Sequence, residues 1–508
     1  MNDIAKHQTL KTIFGYDSFR PGQEEVVNAL LSGKDVLAVM PTGAGKSICY
    51  QLPALLLPGI TIVVSPLISL MQDQVQALIQ MGVRAAYINS SLTENQCRKA
   101  LANACEGMYK IVYVAPERLL TPNFLRFSHS VKISLLCVDE AHCVSQWGQD
   151  FRPSYLQIQQ FVSQLHQRPP VGAFTATATQ RVKTDIRQML QLNNPLELTT
   201  GFDRSNLFFE VQRMEEKEKY PCLAAYLGDH PTATGIVYCS TRKKVDEVYE
   251  KLCNANISAA RYHAGLPAEE RQRNQDAFLF DQARVMVATN AFGMGIDKSN
   301  VNFVIHYNMP LDLESYYQEA GRAGRDGQPA DCILFYSAGD VRTANFLIDN
   351  SEPAAGASPE EVEIQLARQR DRLRQMTFYC HSRYCLRGEI LNYFGQRQQS
   401  RNCGHCSVCQ PDQQRASVVK MAAQKAAKYK DLAEKDLNQE HLQKLKDLRL
   451  QLARQAGVPA FVVFTDTTLR AMCSQLPKTR NELLEIPGVG VRKCEQYGDA
   501  FLALIQTF

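Results

Sequence analysis

Tryptophan occurs once among the 508 residues, at Trp147. Net charge is also scarce: the formal balance is +4 and the isoelectric point is near 8.2. So small an excess does not define a nucleic-acid binder, and any DNA contact must come from local patches. Long apolar runs are missing too. The most apolar region, 52–68, is broken by Pro53, Pro58-Gly59 and Pro66, and Met1-Asn2-Asp3-Ile4-Ala5-Lys6 opens no signal core. Neither secretion nor membrane insertion is expected. The sixteen cysteines stand mostly alone, as at Cys49, Cys137, Cys239 and Cys332. That scatter suits buried thiols in a reducing cytosol better than a disulfide framework, and one cluster near residue 400 breaks the pattern. What is present is ordinary for globular cores, 45% hydrophobic residues over a length that predicts three or four domains.

The strongest local signal is Met40-Pro41-Thr42-Gly43-Ala44-Gly45-Lys46-Ser47, between the apolar run 35–39 and the helix-like 48–52. A strand, a glycine-rich turn ending in Gly-Lys-Ser and a helix start make a phosphate cradle. Backbone amides around Thr42, Gly43 and Gly45 hold the phosphates, Lys46 reaches the terminal phosphate, and Ser47 holds magnesium. Upstream, Phe14-Gly15-Tyr16-Asp17-Ser18-Phe19-Arg20-Pro21-Gly22-Gln23 feeds a helix. Gln23 can both donate to and accept from an adenine edge and Tyr16 can stack on the base, which makes the nucleotide ATP; a surface glutamine in a turn is the plain alternative.

Strands at 61–67 and 111–118 alternate with helical segments such as 69–81, which predicts a parallel sheet with its ligand turns at the carboxyl ends of the strands. Leu135-Leu136-Cys137-Val138-Asp139-Glu140-Ala141-His142 then delivers two carboxylates and an imidazole to one strand end. Adjacent acids there are costly without a cation, so Asp139 is read as a magnesium residue and Glu140 as the group that polarises water. The following loop, 143–153, holds Trp147, Phe151 and Arg152. An aromatic off strand or helix spacing offers a π-face to an unstacked base; core burial of Trp147 is the alternative.

A second alternating unit begins at Asn206 and carries no phosphate loop. Its Gln318-Glu319-Ala320-Gly321-Arg322-Ala323-Gly324-Arg325 sets two arginines three residues apart, suited to a γ-phosphate whose charge spreads in the transition state. Cys385 with Cys403-x-x-Cys406-x-x-Cys409 predicts one structural zinc, with Cys380 and His381 as rivals to Cys385. Residues 411–436 are polar, basic and helix-prone. Beyond them, Leu445, Leu448 and Leu452 mark a helix face, and Pro487-Gly488-Val489-Gly490-Val491-Arg492-Lys493 forms a hairpin turn between helices. Its free amides, with Arg492 and Lys493, can bind DNA phosphate; punctuation in a packing module is the alternative.

Taken in order, these motifs resemble those of the RecQ helicases, superfamily-two proteins with a DEAH box, and Met40 in place of the usual first glycine fits that group. The resemblance implies an α/β fold. Two RecA-like parallel-sheet lobes, 1–205 and 206–345, precede a zinc-binding helical module at 346–410, a basic linker at 411–436 and an all-α HRDC-like domain at 437–508. It implies that Arg20 belongs to the adenine motif with Tyr16 and Gln23, that Asp297 faces the ribose, and that Thr175 and Thr177 link hydrolysis to strand movement. It further implies that Gln318 positions water, Arg322 meets the γ-phosphate, and Arg325 arrives from the second lobe on closure. The activity implied is an ATP- and Mg2+-dependent, 3′ to 5′ DNA helicase with bound Zn2+. It would act on single-stranded and forked DNA in recombination, repair and the SOS response, in the bacterial cytoplasm or nucleoid, with recombination or replication proteins as partners. The span 411–436 is too short for a winged-helix domain, which is expected to be missing. A translocase that does not open duplexes, a DNA-binding scaffold and an RNA helicase are the competing functions.

Overall fold

The computed structural model describes residues 3–147, 151–293, 298–351, 358–398, 400–410 and 439–508. The basic linker 411–436 and Asp297 lie outside the described residues. The chain forms two compact units, one from Met1–Phe202 with Asp436–Phe508, the other from Asp203–Gly293 with Lys298–Lys435.

The first unit holds strands β1 (Val36–Val39), β2 (Ile60–Val64), β3 (Ala85–Ile88), β4 (Ile111–Val114), β5 (Ile133–Val138), β6 (Val171–Thr175) and β7 (Leu196–Thr199). They pair in the order β3-β4-β2-β5-β6-β1-β7, every pair parallel. β1, β2, β4 and β6 are buried along their whole length. Runs of Val, Ile and Leu without alternation are what a sheet covered on both faces requires. Because β5, β6 and β1 are neighbours, the turns after them share one edge. That edge receives the phosphate loop, Asp139-Glu140 and the Thr175-Thr177 turn.

The same unit contains the C-terminal helices Gln439–Ala456, Ala460–Val463, Asp466–Gln475, Arg480–Leu484 and Val491–Ile505. Leu445 is fully buried with Phe464, Leu469, Met472 and Phe501, while Leu448 and Leu452 pack at the margin of this core. The buried Arg449 guanidinium donates to Asp466 at 2.6 Å and to the Phe464 carbonyl at 3.0 Å, so the charge is matched inside the bundle.

The second unit pairs β8 (Leu207–Arg213), β9 (Gly235–Tyr238), β10 (Ala259–Tyr262), β11 (Val285–Ala288), β12 (Phe303–His306) and β13 (Ala330–Tyr336) in the order β10-β11-β9-β12-β13-β8. All of its pairs are parallel as well. β8 lies at the sheet edge, where Phe209 bridges to Cys406: the Phe209 amide donates to the His405 carbonyl at 3.3 Å, and Ser407 donates to Phe209 at 2.9 Å. The cysteine-bearing segment is thereby stitched onto the edge strand of the sheet.

Candidate active site

The phosphate loop ends at the N-terminus of the helix Lys46–Leu56, so the leading amides of that helix open toward the loop. Gly45 caps the helix with φ 80°, left-handed backbone that glycine adopts without a steric cost. A Cβ there would also lie 2.5 Å from Gln23 Nε2. Gln23 is 2% exposed. Its Nε2 donates to the carbonyls of Ala44 and Gly45 at 3.0 and 3.1 Å, and its Oε1 accepts from the Arg20 amide at 2.9 Å. Arg20 in turn donates from Nη1 to the Gly43 carbonyl. The buried Gln23 amide therefore braces the phosphate loop, which sets aside the plain alternative of a surface glutamine in a turn. Tyr16 is half-buried against the cluster of Leu10, Phe14, Val27 and Leu52. Thr42, Lys46 and Ser47 are half-buried in the loop itself.

β5 delivers Asp139 at 7% exposure, and its Oδ1 accepts the Glu140 amide at 3.0 Å. The Tyr155 hydroxyl donates to the Asp139 carbonyl at 2.9 Å. Burial first, and the Glu140 charge second, push the Asp139 carboxyl up to about 7, while Lys46 pulls the other way. Glu140 has φ 47° and ψ 47°, left-handed backbone that is uncommon for a non-glycine residue. Its Oε2 lies 3.3 Å from His142 Nδ1, which is 2.8 Å from Thr175 Oγ1. Thr175 donates to the Thr177 carbonyl at 2.9 Å, so the proton between histidine and threonine belongs to Nδ1. Hydrogen bonds thus run from His142 through Thr175 to Thr177 in the turn after β6, with the Glu140 carboxylate beside the imidazole.

The loop holding Trp147 is closed by the Arg152 amide on the Cys143 carbonyl at 2.9 Å, and Arg152 Nη1 donates to the Pro66 carbonyl at 2.9 Å. Phe151 and Arg152 are half-buried. Trp147 is half-buried rather than part of the core, with the Arg181 guanidinium 3.0 Å from its ring centroid.

In the second unit, the helix Leu313–Ala320 carries Gln318 half-buried and runs into the turn that bears the buried Arg322 and half-buried Arg325. Two residues that sequence reasoning missed hold this turn. Arg204 donates to the carbonyls of Gly321, Ala323 and Gly324 at 3.3, 3.1 and 2.8 Å. Asn206 Nδ2 donates to Gly324 and Gln328 at 2.9 and 2.8 Å. No spacing rule flags an Arg-x-Asn so far from its target.

The sulfurs of Cys385, Cys403, Cys406 and Cys409 all lie within 4.8 Å of one another. Backbone amides of Gly388, His405 and Cys409 donate to Cys385, Cys403 and Cys406 at 3.3, 3.3 and 3.4 Å, which favours thiolates. Four converging sulfurs fit a closed tetrahedral zinc site. The rivals are elsewhere: His381 bonds the Tyr336 hydroxyl at 2.9 Å, and Cys380 is buried outside the cluster.

The C-terminal hairpin departs from expectation. Its Gly488 amide is taken by the Gly15 carbonyl at 2.7 Å, and a Cβ on Gly490 would lie 2.9 Å from the Ile13 carbonyl. Arg492 is exposed with Cδ 3.1 Å from where a Gly82 Cβ would stand, and Tyr497 meets Gln80 at 3.2 Å. Lys493 is half-buried, and burial pushes its amine down to about 8. A hairpin expected to offer amides to phosphate is packed on its own chain, because Gly15 and Gly490 bring the two backbones close without side chains between them.

Family comparisons divide the chain in the same order. A DEAD/DEAH box helicase model matches residues 20–185 and a helicase conserved C-terminal domain matches 218–327. RecQ zinc-binding matches 338–410 and an HRDC domain 438–505. The ATP-dependent DNA helicase RecQ of Bacillus subtilis is 38% identical over 586 aligned positions, covering 97% of this chain and 97% of that protein. That alignment is longer than the chain, so the relative carries residues that this chain lacks. The RecQ of Haemophilus influenzae is 34% identical, covering 98% and 95%. Among solved structures, the DEAD-box helicase Mss116 bound to ssRNA and UDP-BeF superposes with a TM-score of 0.58 at 18% identity, covering 78% of this chain and 89% of that one; at that identity it shows the fold alone. With lobes, zinc module and HRDC region all matched along its length, the chain belongs to the RecQ family of helicases.

Proposed function

We infer that this chain is an ATP-dependent DNA helicase that couples hydrolysis to 3′ to 5′ movement on single-stranded DNA and to duplex unwinding in recombination and repair. The observation that carries the reading is the shared edge after β5, β6 and β1. It gathers Lys46, Ser47, Asp139 and Glu140 within a chain matched along 97% of its length to a RecQ helicase.

In this reading Lys46 and the loop amides of Thr42, Gly43 and Gly45 bind the triphosphate, and Tyr16, Arg20 and Gln23 receive the adenine end. Two acids at a buried strand end, one raised by burial to about 7, suit a divalent cation. Ser47 and Asp139 would hold Mg2+, which neutralises phosphate charge when bound. Glu140 orients the attacking water and takes its proton. Gln318 assists the water, while Arg322 and Arg325 supply guanidinium charge to the γ-phosphate, and Asp297 meets the ribose. Trp147, Phe151 and Arg152 contact the strand, and Arg492 and Lys493 stand as further DNA contacts once the hairpin is free. Among the described residues no helix is long and apolar enough to cross a membrane. The reading places the protein on DNA in the cytoplasm or nucleoid, alongside recombination or replication proteins.

A forked-duplex assay tests it: strand release with ATP and Mg2+, lost in Lys46→Ala, is the expected result. ATP hydrolysis without strand release would leave only a translocase, and equal ATPase stimulation by matched RNA would overturn the DNA assignment.

A further inference from the structure

The helix Gln180–Met189 follows the turn after β6 and starts at Thr179, whose hydroxyl accepts the Val182 amide at 3.4 Å. Its first turn contains no acid and does contain Arg181, a cation at the positive end of a helix dipole. Stacking gives that charge a different partner. The guanidinium carbon lies 3.0 Å from the centre of the Trp147 ring, over its face.

One turn further on, the same helix holds the loop a second time. The Ser145 hydroxyl donates to Asp185 Oδ2 at 2.5 Å, and Ser145 Oγ accepts the Trp147 amide at 3.1 Å. Ser145 is fully buried. Residues 181 and 185 are four apart and therefore on one helix face, so a single element clamps the loop backbone through Asp185 and covers the ring through Arg181. The turn that leads into this helix holds Thr175 and Thr177, and Thr175 Oγ1 accepts from His142, whose ring lies 3.3 Å from the Glu140 carboxylate.

We propose that Arg181 is a positioning residue for strand sensing, a stand-in for a nucleic-acid base on the face of Trp147 that the arriving strand displaces. The proposal rests on the reading of Trp147 as a base-stacking residue. A base and a guanidinium both use the π-face, so they compete for it. Binding is an exchange: the arginine gives up the ring face, while Asp185 keeps its hold on Ser145. Stray contacts too weak to expel Arg181 leave the ring covered; a stacked base does not.

Because Trp147 is the only tryptophan, its fluorescence reports this exchange without labels. Acrylamide quenching of the DNA-free chain should rise about two-fold or more in Arg181→Ala, with Arg181→Lys between the two. The oligothymidylate concentration that half-stimulates ATPase should fall roughly three-fold or more in Arg181→Ala, with a much smaller change in the maximal rate. Quenching equal to that of the parent chain, or a higher half-stimulating concentration, overturns the proposal; the second result would make Arg181 a phosphate contact. If oligothymidylate alters neither emission nor quenching of Trp147 in the parent chain, the base-stacking reading itself fails. If it shields Trp147 and Arg181→Ala behaves like the parent, only the role of Arg181 fails.

Discussion

The Gly488 amide donates to the Gly15 carbonyl at 2.7 Å, joining the C-terminal hairpin to the segment that leads into the adenine motif. Gly15 has φ 75°, and a Cβ on it would lie 2.8 Å from backbone atoms of Gly488, Val489 and Gly490. Backbone atoms cannot step aside as a flexible side chain can. Gly15→Ala should therefore release the hairpin, seen as faster amide hydrogen exchange across 486–492. Gly33 is the control, with φ 81° and nothing within 4 Å of its Cβ. Gly33→Ala should cost about 1 kcal/mol of backbone strain and leave exchange at the hairpin unchanged.

Arg204 spans three carbonyls of the turn bearing Arg322 and Arg325. Arg204→Ala should lower the maximal DNA-stimulated ATPase rate about ten-fold or more, with little change in nucleotide affinity, because the turn and not the phosphate loop loses its support. Arg204→Lys should rescue poorly, since one ammonium cannot reproduce a planar fork. Steady-state ATPase with saturating oligonucleotide measures both.

Cys406→Ser should abolish zinc binding, reducing bound metal from about one per chain toward zero by atomic absorption. Stability should fall by several kcal/mol, on the order of 10 °C in the melting of the second unit. Cys380→Ser, changing a buried thiol outside the sulfur cluster, should keep its zinc.

Glu314 is buried in the first turn of the helix Leu313–Ala320. Burial first, and the Asp312 charge second, push its carboxyl from 4.5 up to about 7. A carboxyl that binds its proton more tightly when folded lends no penalty below the unfolded value, and stability is lost as pH rises from about 4.5 through 7. Glu314→Gln, which stays neutral, should stabilise the protein by up to about 3 kcal/mol at pH 8.5 and by less than about 1 kcal/mol at pH 5. Denaturant unfolding at the two pH values measures the difference.

The phosphate loop, the Asp-Glu-Ala-His strand end and the four cysteines were readable because each packs its chemistry into a few adjacent residues. The parallel sheets were readable for the same reason: uninterrupted Val, Ile and Leu runs alternate with helices. Arg204 was not, since its targets lie 117 to 120 residues away and depend on where β8 pairs. Gln23 was readable as a partner of the nucleotide site but not as a brace behind its loop, because one amide satisfies either role. The docking of Gly488 on Gly15 depends on the absence of two side chains, which leaves no positive mark in sequence. Arg181 carries no mark of its own in sequence, because the ring it covers belongs to a separate loop.

The bridge between Phe209 and Cys406 makes the zinc knuckle a cover for the edge strand of the second sheet. Metal starvation should then have an outcome apart from lost catalysis. A bared β8, with buried Leu207 and Phe209 along it, is a template for pairing with other chains. Under zinc depletion the cell would meet this protein first as an aggregation and proteolysis problem, with its abundance, not its turnover number, recording the metal supply.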